Sequence, residues 1–201
     1  MAESIRETAA FSAANGQGRG DWWGEWEIHR GAGMPEPGKK GKAMEASDLL
    51  PNAIAYAHEK HRGQKDRQGL PYILHPMAVM VNLVNHERYA ALSPADRADA
   101  CCIAVLHDVV EDTDGTLEEI RNLLGRREIT DGVDAMTQYD GETLESYWTR
   151  AKNNRLARIV KLCDIRHNSE PSRAMPDPDH RRRLSEKYAR AEEFLRFRPE
   201  D

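Results

Sequence analysis

The feature that most constrains the fold of this chain is an unbroken apolar run, Cys101-Cys-Ile-Ala-Val-Leu106, inside a longer helical pattern. Ser93 and Pro94 are typical of a helix start, and the pattern continues to about Glu111. A helix that is apolar on most of its faces is expected to be buried, because only neighbouring elements can cover several faces at once. The sequence therefore predicts a buried helix over about 93–111.

Helical spacing of apolar residues also marks the segments on either side of this helix. Ser47-Asp48 is a plausible start for a helix that Gly63 ends, a loop covers 64–75, and Pro76 begins the second helix. Later helices are predicted at 116–125, 129–137, 142–153, 155–167 and 180–196. Aromatic residues are sparse (6%) and charged residues abundant (31%), which favours a helical protein over a β-sandwich. The predicted fold class is all-α, with one domain over residues 46–201.

Residues 1–45 differ from the rest, because they are rich in glycine, contain Pro35 and Pro37, and lack helical periodicity. This composition predicts a poorly structured N-terminal extension. Its exception is a cluster of tryptophans at 22, 23 and 26, which could dock on the folded domain or on a partner. Met44 could serve as the start of the chain, which would leave a compact domain with little tail.

Charge and cysteine content restrict the location and partners of the protein. The formal net charge is −5, so nucleic acid is not the expected partner. The three cysteines, at 101, 102 and 163, show no disulfide spacing and are expected to be buried thiols of a reducing compartment. No apolar run approaches the roughly 20 residues that span a bilayer, and the N-terminus does not resemble a secretory signal. We therefore expect a cytoplasmic protein, whose oligomeric state the sequence leaves open.

The segment after the apolar run, Leu106-His-Asp-Val-Val-Glu-Asp-Thr113, places four polar side chains at the end of a strongly apolar helix. Such groups are costly to bury unless they are paired or bind a metal. On a helix, His107 lies one turn before Glu111, and Asp108 lies one turn before Asp112. One turn can therefore supply a nitrogen and an oxygen ligand, and the next can supply two carboxylates that orient or deprotonate water.

Two other segments show the same mismatch between a polar side chain and its apolar neighbours. Tyr72-Ile-Leu-His-Pro76 places His75 at a loop-to-helix junction, and Val160-Lys-Leu-Cys-Asp-Ile-Arg-His-Asn168 places Asp164 in the middle of a helix. With His107-Asp108 they provide two imidazoles and two carboxylates. This mixed set suits Mn, Fe, Co, Ni or Zn better than Ca or Mg, and it leaves positions open for water and substrate.

These motifs, in this order, resemble those of the HD-domain metal phosphohydrolases, and most closely the RelA/SpoT-type branch with its small stand-alone alarmone hydrolases. The resemblance covers about residues 47–197 and implies a single HD-domain helical bundle. The matching segments are Gly63-Gln64, Gly69-Leu-Pro-Tyr-Ile-Leu-His-Pro76, Leu106-His-Asp-Val-Val-Glu-Asp-Thr113 and Lys161-Leu-Cys-Asp-Ile-Arg-His-Asn168.

The resemblance implies a Mn²⁺-dependent hydrolase that removes the 3′-pyrophosphate of ppGpp or a related alarmone and leaves GDP or GTP. Other divalent transition metals fit the same ligand types. The residues that would hold one metal ion are His75, His107, Asp108 and Asp164. The residues that would handle the attacking water are Glu111 and Asp112. The residues that would contact the nucleotide are Arg67, Tyr72, Lys161 and Asn168.

One loop departs from the family pattern. Where alarmone hydrolases usually carry adjacent basic residues after Gly-Gln, this chain has Lys65-Asp-Arg-Gln68, so Asp66 interrupts the basic pair. A carboxylate beside a polyphosphate is unfavourable by about a kcal/mol or more unless a cation neutralises it. This departure supports an alternative, an HD-type hydrolase of another nucleotide or a phosphomonoester. A non-enzymatic role through the tryptophans at 22–26 is a third hypothesis.

Some polar residues have two open interpretations. We expect His58 and His61 to shape the loop that follows the first helix rather than bind metal, and His167 to hydrogen-bond near the metal site. Four basic residues near helical spacing could either line a polyphosphate groove or form a solvated face. They are Lys152, Arg155, Arg158 and Lys161.

Overall fold

The computed structural model describes residues 46–173 and 177–198, and the predicted extension with its tryptophans lies outside the described residues. In this part of the chain there are nine α-helices and no strand, so the prediction of an all-α fold is confirmed. The helices are α1 (Ala46–Lys60), α2 (Leu74–Val84), α3 (Pro94–Leu106), α4 (Val109–Asp112), α5 (Leu117–Leu124), α6 (Arg127–Met136), α7 (Leu144–Asn153), α8 (Arg155–Asn168) and α9 (Pro178–Leu195). A short 3₁₀ helix, Pro171–Arg173, follows α8.

Local chemistry explains where several helices begin and end. The Ser93 hydroxyl accepts a hydrogen bond from the Asp96 N–H, 3.1 Å away, and Pro94 occupies the first turn of α3. Thr116 and Glu119 form a reciprocal capping box at the start of α5. Gly125 ends α5 with φ +62°, a left-handed conformation that glycine adopts without steric cost. The predicted bounds of this helix are confirmed.

The predicted continuous helix over 93–111 is wrong in one respect. α3 ends at Leu106, a turn of two residues follows, and α4 begins at Val109. At Asp108 the backbone has φ −98° and ψ −5°, away from regular helical values, although its carbonyl still accepts from the Asp112 N–H at 2.8 Å. The chain therefore changes direction at His107-Asp108, where both side chains meet groups from other helices.

The second helix also begins earlier than predicted, at Leu74 instead of Pro76. Pro76 then lies in the first turn, where its missing N–H has no partner to lose.

Helix α3 lies at the centre of the larger core and packs against α1, α2, α6 and α8. All seven residues of 100–106 are buried, which confirms the predicted burial of the apolar run. Gly132 lets α6 approach α3 closely, because a Cβ atom there would lie 2.2 Å from the Ile103 side chain. A second, smaller cluster joins α7, α8 and α9 and includes Trp148, Ile165 and Leu195. Helix α8 thus contacts both cores.

None of the helices in the described ranges is both long enough and apolar enough to cross a membrane.

Candidate metal centre and active site

Three separate parts of the fold bring the predicted ligands together. His75 comes from the first turn of α2, His107 and Asp108 from the turn between α3 and α4, and Asp164 from the middle of α8. The ligand atoms of His75, His107 and Asp164 all lie within 4.8 Å of one another, and the three residues are buried. This group could hold a metal ion. The Oδ2 atom of Asp108 lies 3.3 Å from His75 Nε2 and 3.1 Å from His107 Nε2, so Asp108 adjoins the same point.

The ring of His107 shows that the cluster fits a cation. Its Nδ1 lies 2.9 Å from the Ala104 carbonyl oxygen, which can only accept, so Nδ1 carries the proton. Nε2 of the neutral ring then presents a lone pair, and this buried atom has no hydrogen-bond partner. Its neighbours are carboxylate oxygens of Asp108 and Asp164, at 3.1 and 3.7 Å. Because lone pairs face one another here, a metal ion or a proton is needed between them.

The pKa values of His107 and Asp164 reflect the same close approach of imidazoles and carboxylates. Burial opposes the charged form of His107, but the carboxylates of Asp108 and Asp164 outweigh it and raise its pKa well above the ordinary value. Burial also opposes ionisation of Asp164, yet the Lys161 charge and the histidines hold the pKa of this carboxyl well below its usual range. The site therefore favours ionised carboxylates around a position that requires positive charge.

Residues around the cluster orient its members. Lys161 Nζ donates to Asp164 Oδ2 at 2.8 Å, and Asn168 Nδ2 donates to Asp164 Oδ1 at 2.6 Å. His75 Nδ1 lies 2.7 Å from His167 Nδ1, so one ring must donate to the other. If His75 donates, its Nε2 is free to bind a metal, which is the usual arrangement of a metal-binding histidine. Burial and the neighbouring His75 lower the pKa of His167, which suits a neutral acceptor. The expected hydrogen bond of His167 near the site is confirmed.

The two predicted catalytic carboxylates lie beside the cluster. The Tyr72 hydroxyl contacts both Asp108 Oδ2, at 2.7 Å, and Asp112 Oδ2, at 2.9 Å. Glu111 Oε2 accepts from the Gln138 N–H at 2.8 Å. Burial and the charge of Asp108 raise the pKa of Asp112. Burial likewise raises the pKa of Glu111, and the charge of Asp108 adds to this effect. Both carboxyls therefore bind a proton more readily than exposed ones.

Comparisons with known proteins identify the family. No protein-family model matches the chain. The chain is 32% identical over 155 residues to the guanosine-3′,5′-bis(diphosphate) 3′-pyrophosphohydrolase MESH1 of Danio rerio, and the alignment covers 74% of this chain and 83% of the relative. The chain belongs to the HD-domain family of RelA/SpoT-type hydrolases. The structure of a metazoan ortholog of SpoT that hydrolyses ppGpp matches the fold with a TM-score of 0.61 and 25% identity, over 77% of this chain and 89% of that chain.

Longer members of the family match in part. The chain is 36% identical over 109 residues to a guanosine-3′,5′-bis(diphosphate) 3′-pyrophosphohydrolase of Aquifex aeolicus, with 50% of this chain and 14% of the relative aligned. It is 32% identical over 149 residues to the GTP pyrophosphokinase rsh of Brucella melitensis, with 69% and 18% aligned. The chain therefore spans less than a fifth of the length of these relatives.

The predicted nucleotide contacts occupy different positions around the HD-family cluster. Tyr72 bonds to the carboxylates of Asp108 and Asp112, whereas Lys161 and Asn168 both donate to Asp164. Arg67 is exposed on the loop before α2. The structure thus places three of the four beside residues of the cluster and the fourth on the loop.

Asp66, the departure from the family pattern, has a structural role in that loop. Its Oδ1 accepts from the N–H groups of Gln68 and Leu70, both at 2.9 Å, and its Oδ2 lies 3.6 Å from Arg173. The side chain is only 9% exposed. Because the loop and Arg173 already use both oxygens, the carboxylate is neutralised within the protein.

His61 shapes the same loop, as expected. Its Nδ1 lies 2.6 Å from Gln64 Oε1, and its ring lies against Tyr72 with centroids 4.9 Å apart. His61 therefore packs against a residue that contacts Asp112, one of the two candidate catalytic carboxylates, and Asp108.

Two residues of α9 near the site were not predicted. Burial and the positive charge of Lys161 lower the pKa of Lys187, whose charge also interacts with Glu111 and Asp164. Burial and the charge of Asp164 raise the pKa of Tyr188, and the nearby charge of Arg67 opposes this shift. Both side chains therefore lie within electrostatic reach of the cluster. Nothing in their sequence context distinguishes them from the rest of an amphipathic helix.

Proposed function

We propose that the protein is a metal-dependent hydrolase that removes the 3′-pyrophosphate of ppGpp or a related alarmone, with GDP or GTP and pyrophosphate as products. The observation that carries this proposal is the cluster of two imidazoles and two carboxylates, in which the buried His107 Nε2 has no hydrogen-bond partner. The activity itself is the one named for the Danio rerio relative, most of whose length this chain covers.

The proposed metal ligands are His75, His107, Asp108 and Asp164. Their distances support the set, because the Nε2 atom of each histidine lies 3.1–3.7 Å from an oxygen of Asp108 and from an oxygen of Asp164. We propose Mn²⁺ as the ion, since mixed nitrogen and oxygen ligands suit such transition metals. When bound, the ion supplies Lewis acidity, which lowers the pKa of water and polarises phosphoryl oxygens.

The residues of the chain provide the proton transfers and the orientation. We propose that Glu111 and Asp112 orient the attacking water and accept its proton, a role that suits carboxyls whose pKa is raised. Tyr72 and the Gln138 N–H hold these carboxylates in place. Because the orienting groups are already bonded, little reorganisation is required when the substrate binds.

Cationic and neutral polar side chains around the cluster would bind the negatively charged substrate. We propose that Arg67, Tyr72, Lys161 and Asn168 contact the nucleotide, as the family resemblance implies. The position of Asp66 supports an alarmone as the substrate, because its carboxylate bonds within its own loop and to Arg173. Repulsion between Asp66 and a polyphosphate is therefore a weaker argument for another nucleotide as the substrate.

The test combines metal analysis with product identification. The purified full chain is freed of metal with a chelator, reloaded with Mn²⁺ or Zn²⁺, and incubated with ppGpp and with its adenosine analogue ppApp. Ion-exchange chromatography should show pyrophosphate together with an equal amount of GDP from ppGpp or of ADP from ppApp, and no product in chelator. Release of orthophosphate alone would select the alternative HD-type hydrolase.

A matched pair of variants tests the site assignment. Asp108→Asn should abolish hydrolysis, whereas Asp131→Asn should keep it, since Asp131 is an exposed residue of α6 paired with Arg127. Unchanged activity in Asp108→Asn would contradict the proposed ligands. Inert protein that also binds no transition metal would favour the interaction-module hypothesis.

We also propose a cytoplasmic location. All three cysteines, Cys101, Cys102 and Cys163, are buried free thiols, as is typical of a reducing compartment.

A further inference from the structure

A cavity of about 420 Å³ lies at the N-terminal end of α8, apart from the metal residues. Its walls come from the loop between α2 and α3, the junction of α7 with α8, and the segment that follows α9. The volume falls within the range of about 300–1,000 Å³ that is typical of small-molecule sites.

Basic residues dominate the polar part of this cavity. Of the four predicted to share a groove, Lys161 bonds to Asp164, whereas Lys152, Arg155 and Arg158 line the cavity and are joined there by Arg88. Arg155 pairs with Asp96 at 2.8 Å. Within residues 46–173 and 177–198, neither Arg88 nor Lys152 has a carboxylate within 4.0 Å. Among the described residues, Arg88 and Lys152 therefore bring positive charge to the cavity that no carboxylate within 4.0 Å balances.

The cationic wall is held in place by buried contacts. Arg158 is 6% exposed, and its guanidinium donates to the carbonyl oxygens of Leu195, at 2.8 Å, and Arg196, at 2.6 Å. The guanidinium carbons of Arg88 and Arg158 lie 3.8 and 4.0 Å from the ring centroid of Phe197. Such stacking fixes the plane of an arginine side chain before any ligand arrives, which reduces the entropic cost of binding.

The rest of the wall determines the class of ligand. Ala91, Leu92, Ile159 and the ring of Phe197 provide the apolar part of the lining, and Asn153 provides an amide. Inorganic phosphate would satisfy the cations but leave this apolar surface and most of the volume unused. A nucleotide combines both requirements, with a charged phosphate group and a sugar and base of suitable size.

We propose that this cavity is a second nucleotide-binding site, in which Arg88, Lys152 and Arg155 bind the phosphates and the apolar wall receives the nucleoside. It is separate from the hydrolytic site, because Arg155 and Asp164 are nine residues apart on α8, or about 13 Å along the helix axis. The proposal concerns binding and does not depend on the proposed hydrolysis.

Binding stoichiometry tests the proposal on the full chain. GDP binding is measured by equilibrium dialysis for the wild type and for the double variant Arg88→Gln/Lys152→Gln, with guanosine and inorganic pyrophosphate as further probes. The variant should lose about one equivalent of GDP per chain, or bind that equivalent at least tenfold more weakly. Guanosine should bind more weakly than GDP, because it lacks the phosphates.

The control removes the same number of charges elsewhere. Arg127→Gln/Arg182→Gln changes two exposed arginines, each paired with an aspartate of its own helix, and should keep the full GDP stoichiometry. Arg155→Gln, whose side chain is 59% exposed, gives a second test that does not disturb Phe197. Equal stoichiometry and affinity in the wild type and both pocket variants would overturn the proposal. Binding of a ten-nucleotide RNA that GDP does not displace would also overturn it.

Discussion

The N-terminal end and the middle of α8 carry similar basic residues in different environments. At the N-terminal end, Arg155 and Arg158 line a cavity together with Arg88 and Lys152. In the middle of the helix, Lys161 is 16% exposed and pairs with the buried carboxylate of Asp164 at 2.8 Å. Burial opposes the charge on Lys161, but Asp164 outweighs it and raises the pKa of the lysine well above its usual value.

The difference follows from the rotation of successive residues around the helix axis. Residues three apart are offset by about 60° around a helix axis, so Arg158 and Lys161 face different neighbours. Arg158 meets the end of α9, whereas Lys161 meets Asp164 and the ring of Tyr147. Lys161 thus balances a buried carboxylate, and Arg158 fixes the end of α9, whereas Arg155 is proposed to bind a ligand together with Arg88 and Lys152.

Removal of the proposed metal ligand on α8, Asp164, should have the largest effect. Asp164→Asn removes a charge from the cluster, and the loss of several kcal/mol of metal-dependent stabilisation corresponds to about 10³-fold lower activity. Pyrophosphate release and bound metal measured on the same sample check this. Asp179→Asn, at an exposed aspartate of α9 paired with Arg182, should match the wild type. Activity within tenfold of wild type in Asp164→Asn would mean that α8 does not supply a ligand.

Lys161 should matter for the stability of the fold as well. Lys161→Met leaves Asp164 buried without its cation, and such a change costs about 3–5 kcal/mol in the free energy of unfolding. The loss should be measured by urea unfolding in chelator, since a bound metal would compensate part of it. Lys60→Met is the matched control, because Lys60 is also 16% exposed but pairs with more exposed partners, Asp114 and Glu119. Similar losses in both variants would show that burial of Asp164 is not the cause.

Removal of His167, the hydrogen-bond partner of His75, should have an intermediate effect. His167→Ala removes the ring that lies 2.7 Å from His75 Nδ1, and loss of such an orienting group weakens metal affinity by about 10–100-fold. Competition with a metal-binding dye measures this. His58→Ala removes an exposed imidazole of α1 and should leave the affinity unchanged. Unaltered metal affinity in His167→Ala would show that His167 is not needed to orient the ring of His75.

Much of the fold was predictable because its signals are local. Ser93 and Pro94 begin α3, and Thr116 and Gly125 bound α5, through contacts within a few residues. The break at His107-Asp108 was not predictable in this way. Helical periodicity continues through it, and the Asp112 N–H still bonds to the Asp108 carbonyl. What distinguishes this turn is its contact with groups from α2 and α8, which are distant in sequence.

The candidate site was predictable to a similar degree and for a similar reason. His75, His107 and Asp164 are polar residues in apolar segments, and the structure brings them together. Lys187 and Tyr188 show no such mismatch, since α9 is mostly exposed and its approach to the site depends on packing around Trp148 and Leu195. The role of Asp66 was also hidden, because its hydrogen bonds to Gln68 and Leu70 depend on how the loop folds.

The N-terminal end of α8 should show the smallest effect on stability. Arg155→Met removes an ion pair with Asp96, but the arginine is 59% exposed, and such pairs contribute about 0–1 kcal/mol. Urea unfolding in chelator should therefore show a change well below that of Lys161→Met, and added salt should reduce it further because exposed charges are screened. If Arg155→Met instead lost as much stability as Lys161→Met, both Arg155 and Lys161 would be needed for the stability of the fold. The charge of Arg155 would then not be available for a ligand.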